Sequence, residues 1–131
     1  MTSSTTLSVD CGGGGIKASV LDAEGAIISR AVRTATPYPL PPATLVETIA
    51  SLAGRLPTAD RVTVGMPGMI RHGVVIATPH YITRDGPRSK VLPELVEAWA
   101  RFNMARAIGE RLDLPGQPRS EERRVGKECR S

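Results

Sequence analysis

Aromatic side chains are nearly missing from this chain of 131 residues: one Trp, one Phe and two Tyr make up 3% of it. A surface that stacks nucleic-acid bases on aromatic rings set among basic residues has little to be built from. The core is therefore expected to be aliphatic. Cysteine is almost as scarce. Cys11 and Cys129 are the two present, and neither has a neighbour at metal-ligand spacing, which excludes a zinc motif and suits a reducing cytosol. No stretch approaches the roughly 20 apolar residues that span a bilayer. Residues 1–6 are small and polar and lack the basic-then-apolar run of a signal peptide. A cytoplasmic protein with no membrane partner is expected. One-sided charge is also lacking. Of the net +4, half falls in residues 119–131, which hold five Lys/Arg against three Asp/Glu. The other 118 residues carry twelve against ten, a near-neutral body that argues for no nucleic-acid partner.

What remains is ordinary for one globular domain: 40% hydrophobic and 23% charged residues. The length allows a real core but not two lobes with a cleft between them. Strands are expected at residues 6–9 and 16–21, joined by a glycine-rich turn, and at 26–33 after the turn at 22–25. Residues 36–42 are proline-rich and read as a loop. Residues 44–56 form the clearest helix, because Leu45, Ile49, Leu52 and Leu56 make one apolar stripe. Thr44 and Glu47 have capping-box spacing, and Pro57 stops the helix. A strand at 61–64 ends at Gly65-Met66-Pro67-Gly68, and another is expected at 73–78. Residues 79–90 read as polar loop and 93–99 as a helix. Asn103 caps a last helix to Leu112, with Met104, Ala107, Ile108 and Leu112 as its buried face.

The segment from Asp10 to Lys17 carries the most chemistry. Gly12, Gly13, Gly14 and Gly15 follow one another without a Cβ, so their N–H groups can approach an anion closely. Asp10, at the strand end, can hold a hydrated Mg²⁺, which prefers carboxylate and phosphate oxygens. Lys17 adds a positive charge. A P-loop is excluded, since Lys17 lies between Ile16 and Ala18 rather than in Gly-Lys-Ser/Thr. A dinucleotide fingerprint is nominally present at Gly13, Gly15 and Ala18, but it needs a helix where residues 16–21 read as strand. A plain glycine hairpin is the remaining alternative.

Asp10–Lys17 followed by Gly65-Met66-Pro67-Gly68 resembles the ROK family of sugar kinases and regulators, and within it the polyphosphate glucokinase branch. The resemblance covers roughly residues 6–115. It implies an α/β chain with a mixed sheet and flanking helices: the N-terminal lobe of an actin-like ATPase (ribonuclease H-like) fold, truncated. It implies that Asp10 and Gly12–Gly15 engage Mg²⁺ and the phosphoryl group of ATP or polyphosphate, with Asp10 meeting the metal through water. It also implies that Gly65–Gly68 line a hexose pocket. Three positions depart from the family pattern, one of them Cys11, a core residue where a branched aliphatic is usual. Gly14 stands where Thr is usual, and Pro79-His80 where Pro-Asn is usual, so His80 is the candidate to bond a sugar hydroxyl.

Phosphoryl transfer to a hydroxyl needs a carboxylate base. In the family this is the Asp of an Asn-Asp pair on a later strand, and no such pair occurs here. No catalytic base is therefore assigned within the chain, and the chain by itself is expected to be inactive. Residues 1–118 read as the lobe. Residues 119–131 resemble the in-frame translation of a sequencing adapter and are expected to be disordered; the alternative is a solvated basic tail. The parent is expected to phosphorylate a hexose, and family resemblance suggests a homodimer. The competing reading is a ROK-type sugar-responsive regulator. The few residues before the first strand leave no room for its DNA-binding module. A chaperone or filament ATPase fits Gly65–Gly68 and the short spacers poorly.

Overall fold

A computed structural model describes residues 4–86 and 88–114 of the chain. Its elements are β1 (Thr6–Cys11), β2 (Gly15–Leu21), β3 (Val32–Ala35), α1 (Pro42–Ala53), β4 (Arg61–Gly65), β5 (Met69–Arg71), β6 (Val74–Ala77), α2 (Pro93–Trp99) and α3 (Met104–Leu112). Four strands form a sheet in the order β3-β2-β1-β4, and β5 and β6 form a separate hairpin. β2 runs antiparallel to β1 and β3, whereas β4 runs parallel to β1. The result is the expected mixed sheet with helices.

Alternation along the strands decides which face is buried. Leu7, Val9 and Cys11 lie beside Val20, Ala18 and Ile16 of β2, and Leu7 and Val9 beside Val62 and Val64 of β4. All are buried and form one side of the core. The intervening residues Ser8, Asp10, Lys17, Ser19 and Thr63 are half-buried or exposed. Period-two patterning of this kind puts every polar residue on one face. Leu45, Ile49 and Leu52 of α1 join the core. Each contributes on the order of 1.5–3 kcal/mol by leaving water, which holds a 12-residue helix better than local propensity does.

Several elements differ from the sequence reading. α1 begins at Pro42, with Pro41 as its N-cap and no side-chain cap. Proline suits the first helical position because its missing N–H has no partner to lose there. The Thr44–Glu47 capping box is therefore not made. Thr44 sits inside the helix and its carbonyl accepts from the Thr48 hydroxyl (2.7 Å), while Glu47 pairs with Arg111 of α3 (2.8 Å). α1 ends at Ala53, so Leu56 packs on the core from beyond the helix. The third strand is Val32–Ala35, not 26–33. Ile27 and Ile28 are 64% and 49% exposed; Ile27 makes only an isolated bridge to Leu21, and the ladder with β2 resumes at Val32. β5 was not foreseen. Asn103 does cap α3, accepting from the Arg106 N–H (2.9 Å). Met104 and Ile108 are buried with Ala105, while Ala107 and Leu112 are partly buried. The boundary at 118 and the tail reading for 119–131 lie outside the described residues.

The aliphatic core has an aromatic seam. The four aromatic residues of the chain form one row, with centroid separations of 6.4 Å for Tyr38–Tyr81, 5.7 Å for Tyr81–Trp99 and 5.7 Å for Trp99–Phe102. Trp99 and Tyr81 head the largest fully buried side chains, and the Trp99 indole N–H donates to the Leu40 carbonyl (2.8 Å). The expectation of a purely aliphatic core is corrected accordingly. The rings are few, but each buries a large area and fixes a polar tip.

Candidate functional site

The parallel strands β1 and β4 end side by side, with Asp10 beside Gly65 in register. Carboxyl ends of strands in an open sheet are where ligands gather, because loops leave there without covering helices. On the other flank Asp10 faces Lys17, and Lys17 faces Arg33 of β3. Arg33, Lys17, Asp10 and Gly65 thus occupy one cross-strand row on the polar face. Asp10, Lys17 and Arg33 are exposed. The Asp10 side chain makes no hydrogen bond or ion pair with another described residue. Its carboxylate is open to solvent and available to a cation.

Beyond Asp10 the chain turns through the glycines. No helix starts there; β2 begins at Gly15, which removes the dinucleotide reading. The Gly12 N–H donates to the Gly15 carbonyl (2.8 Å), and the Thr36 N–H to the Gly14 carbonyl (3.2 Å). Three hydroxyls then hold the turn from outside it. Thr36 (3.0 Å) and Tyr81 (2.9 Å) both donate to the Gly12 carbonyl, and Tyr38 donates to the Gly13 carbonyl (2.6 Å). The carbonyls are fully engaged. The Gly13 and Gly14 N–H groups have no acceptor among the described residues. Backbone donors left free beside a cation-binding carboxylate are the chemistry of a phosphate cradle. A side chain added at Gly14 would meet nothing within 4 Å, so the Thr of the family pattern would reach into open space there.

These hydroxyls keep their protons. Burial raises the Tyr81 pKa far above its ordinary value, and the negative charge of Asp10 pushes the same way. Burial alone raises that of Tyr38. Cys11 is a buried core thiol, held protonated by burial first and by the Asp10 charge second. Thr36, Tyr38 and Tyr81 were missed in the sequence. The available signal was their polar tips, since both tyrosines are among the chain's few aromatics.

The second turn follows β4. Met66 is buried, Pro67 half-buried and Gly68 exposed. Gly68 has φ +125°, and a Cβ there would lie 2.1 Å from the Ala77 carbonyl oxygen. The buried Thr78 hydroxyl donates to the Pro67 carbonyl (3.0 Å). The Tyr81 N–H donates to the Thr78 carbonyl (3.1 Å), closing the loop that carries His80. His80 is half-buried. Its carbonyl accepts from Thr83 (2.8 Å), but its buried Nδ1 has no partner. A polar atom left so is costly. The structure therefore brings both turns and His80 to the same sheet end. Asp10 and Lys17 lie on the row beside them.

Among the described residues no three His, Cys, Asp or Glu side chains cluster as a metal site, and no helix is long and apolar enough to cross a membrane. A hydrated Mg²⁺ needs less: one open carboxylate and phosphate oxygens. Asp10 and the free glycine amides fit that requirement.

The ROK family model matches residues 6–115. No curated protein sequence matches the chain. Among solved structures, a ROK family glucokinase from Streptomyces griseus in complex with glucose and AMPPNP is 24% identical, with TM-score 0.62, over 85% of this chain and 31% of that one. A ROK family protein from Streptococcus pneumoniae in complex with sucrose is 21% identical, with TM-score 0.55, over 86% and 33%. A ROK family transcriptional regulator homologous to the E. coli MLC protein is 14% identical, with TM-score 0.55, over 85% and 26%. The chain thus spans about a quarter to a third of the length of the structures it resembles and has their fold, part of an actin-like ATPase lobe.

Proposed function

Because the chain belongs to the ROK family, we propose that the protein it is part of is a hexose kinase, of glucokinase or polyphosphate glucokinase type. One observation carries the reading. Three hydroxyls occupy the Gly12 and Gly13 carbonyls, and the Gly13 and Gly14 N–H groups, which have no acceptor among the described residues, lie in the same turn after the open Asp10 carboxylate. Asp10 would hold Mg²⁺ through water, and that ion, when bound, neutralises charge on the phosphates. The free amides of the turn bind phosphate oxygens, and Lys17 draws the anion toward the row it shares with Asp10. Gly65, Met66, Pro67 and Gly68 form the floor of a sugar pocket, and the His80 side chain meets a sugar hydroxyl. These residues bind and orient. The base that takes the hydroxyl proton is supplied from elsewhere in the protein, so the present chain by itself is inactive. ATP is the favoured donor, supported by the nucleotide analogue in the glucokinase of the same fold; polyphosphate is the alternative.

The test is a coupled assay of the protein carrying this segment with its remaining lobe. Hexoses including glucose, mannose and N-acetylmannosamine are offered with Mg²⁺ and either ATP or polyphosphate. Turnover of one hexose is expected, lost in Asp10→Asn, and absent from the present chain alone. Similarity to a transcriptional regulator supports a second reading, a sugar-responsive regulator. Sugar binding without turnover by the protein with both lobes, together with binding to DNA, would establish that reading and remove the kinase.

A further inference from the structure

Resting on the kinase reading, we infer that Tyr81 is a positioning residue that couples the sugar side of the site to the phosphate side, so that hexose and phosphoryl donor bind with synergy. Tyr81 follows His80 directly, and its N–H is tied to Thr78, whose hydroxyl holds Pro67. Its own hydroxyl reaches Gly12, 69 residues earlier in the chain (2.9 Å). One unbroken series of bonds therefore runs from the Gly65–Gly68 turn through Thr78 and Tyr81 to the glycine turn.

The linkage is stiff. Tyr81 is 0% exposed, and its ring is held between those of Tyr38 and Trp99. A packed ring has no alternative rotamer to absorb a displacement. Movement of the His80 loop as a hydroxyl engages His80 is passed to the Gly12 carbonyl instead of being lost in side-chain motion. Gly12 begins the segment whose next two N–H groups are free, so the orientation of that carbonyl sets the donors offered to phosphate. Coupling between two sites is a free energy, and each ligand must raise the affinity of the other by the same factor. Tyr38, which holds only Gly13, lies outside this series.

Isothermal titration of the protein with both lobes measures the factor directly. The hexose turned over fastest is titrated with and without Mg²⁺ and AMPPNP, or tripolyphosphate if polyphosphate is the donor. Wild type is expected to show synergy of at least about fivefold. Tyr81→Phe keeps the ring and removes the bond, and Thr78→Val breaks the same series at its other end. Both are expected to bring the factor close to one, while Tyr38→Phe keeps it and weakens donor binding alone. Circular dichroism and thermal melts check folding, and the Thr78→Val variant carries the test should Tyr81→Phe not fold. Independent binding in the wild type, or synergy that survives both Tyr81→Phe and Thr78→Val, overturns the inference and leaves the kinase standing. A wild type that phosphorylates no hexose removes the kinase reading and this inference with it.

Discussion

The two glycine-bearing turns at the sheet end use glycine for opposite reasons. Gly12–Gly15 is the denser run, yet none of its four residues has a positive φ, and Gly14 faces open space. Gly68 is a single glycine at the end of its turn, yet it has φ +125° and no room for a methyl group beside the Ala77 carbonyl. In the first turn the missing side chain at Gly14 leaves space for a ligand, while Gly12 is crowded by the Gly15 carbonyl, 3.2 Å from where its Cβ would sit. In the second the absence of a side chain is the condition for the chain to turn at all. The number of glycines in a turn is a poor guide to how much it depends on them.

Substitutions at the two turns test this contrast. The largest effect is expected from Gly68→Ala. The unfavourable backbone conformation and the clash with backbone atoms, which cannot rotate away, together cost at least about 3 kcal/mol, read as a lowered urea midpoint or as failure to fold. Gly14→Thr is expected to change stability by less than about 0.5 kcal/mol, because the new side chain meets no neighbour. In the protein with both lobes it should lower KM for the phosphoryl donor, since a hydroxyl joins the free amides. A loss of stability at Gly14 comparable with that at Gly68 would erase the distinction between the turns. The smallest effect is expected far from both, at Glu47→Gln. Hydrogen bonding to Arg111 holds the Glu47 carboxyl below its ordinary value, and the Arg111 charge helps. A depressed folded pKa stabilises above the unfolded value, and the effect fades as pH falls through the folded one. The pair is solvent-exposed, so the wild type and Glu47→Gln should have nearly the same unfolding midpoint at neutral pH and coincide in acid.

Legibility followed the range of the interactions. Period-two alternation located β1, β2 and β4, and the 3.6-residue stripe located α1. The Asn103 cap was legible because it closes within three residues. Errors came where local signals competed with distant ones. Ile27 and Ile28 look like strand residues, but the partner for β2 comes from Val32–Ala35. Thr44 and Glu47 have the spacing of a capping box, but Pro41 and Pro42 start the helix earlier and Arg111 claims the carboxylate. The β5–β6 hairpin turns at His72 and Gly73, where α3 docks through the Ala105 N–H on the Gly73 carbonyl (3.1 Å). None of that contact is visible in a short window.

What the sequence determined by itself is the set of elements near the site and the candidate ligands on them: Asp10, the glycines, Lys17, the Gly65–Gly68 turn and His80. Spacing along one strand or turn makes such groups legible, because the backbone that joins them holds them together. How the glycine turn is held came from the fold, since the hydroxyls that engage the Gly12 and Gly13 carbonyls come from Thr36, Tyr38 and Tyr81, up to 69 residues away. Hydrogen bonds between distant segments depend on how the core packs, and packing is a property of all the contacts at once.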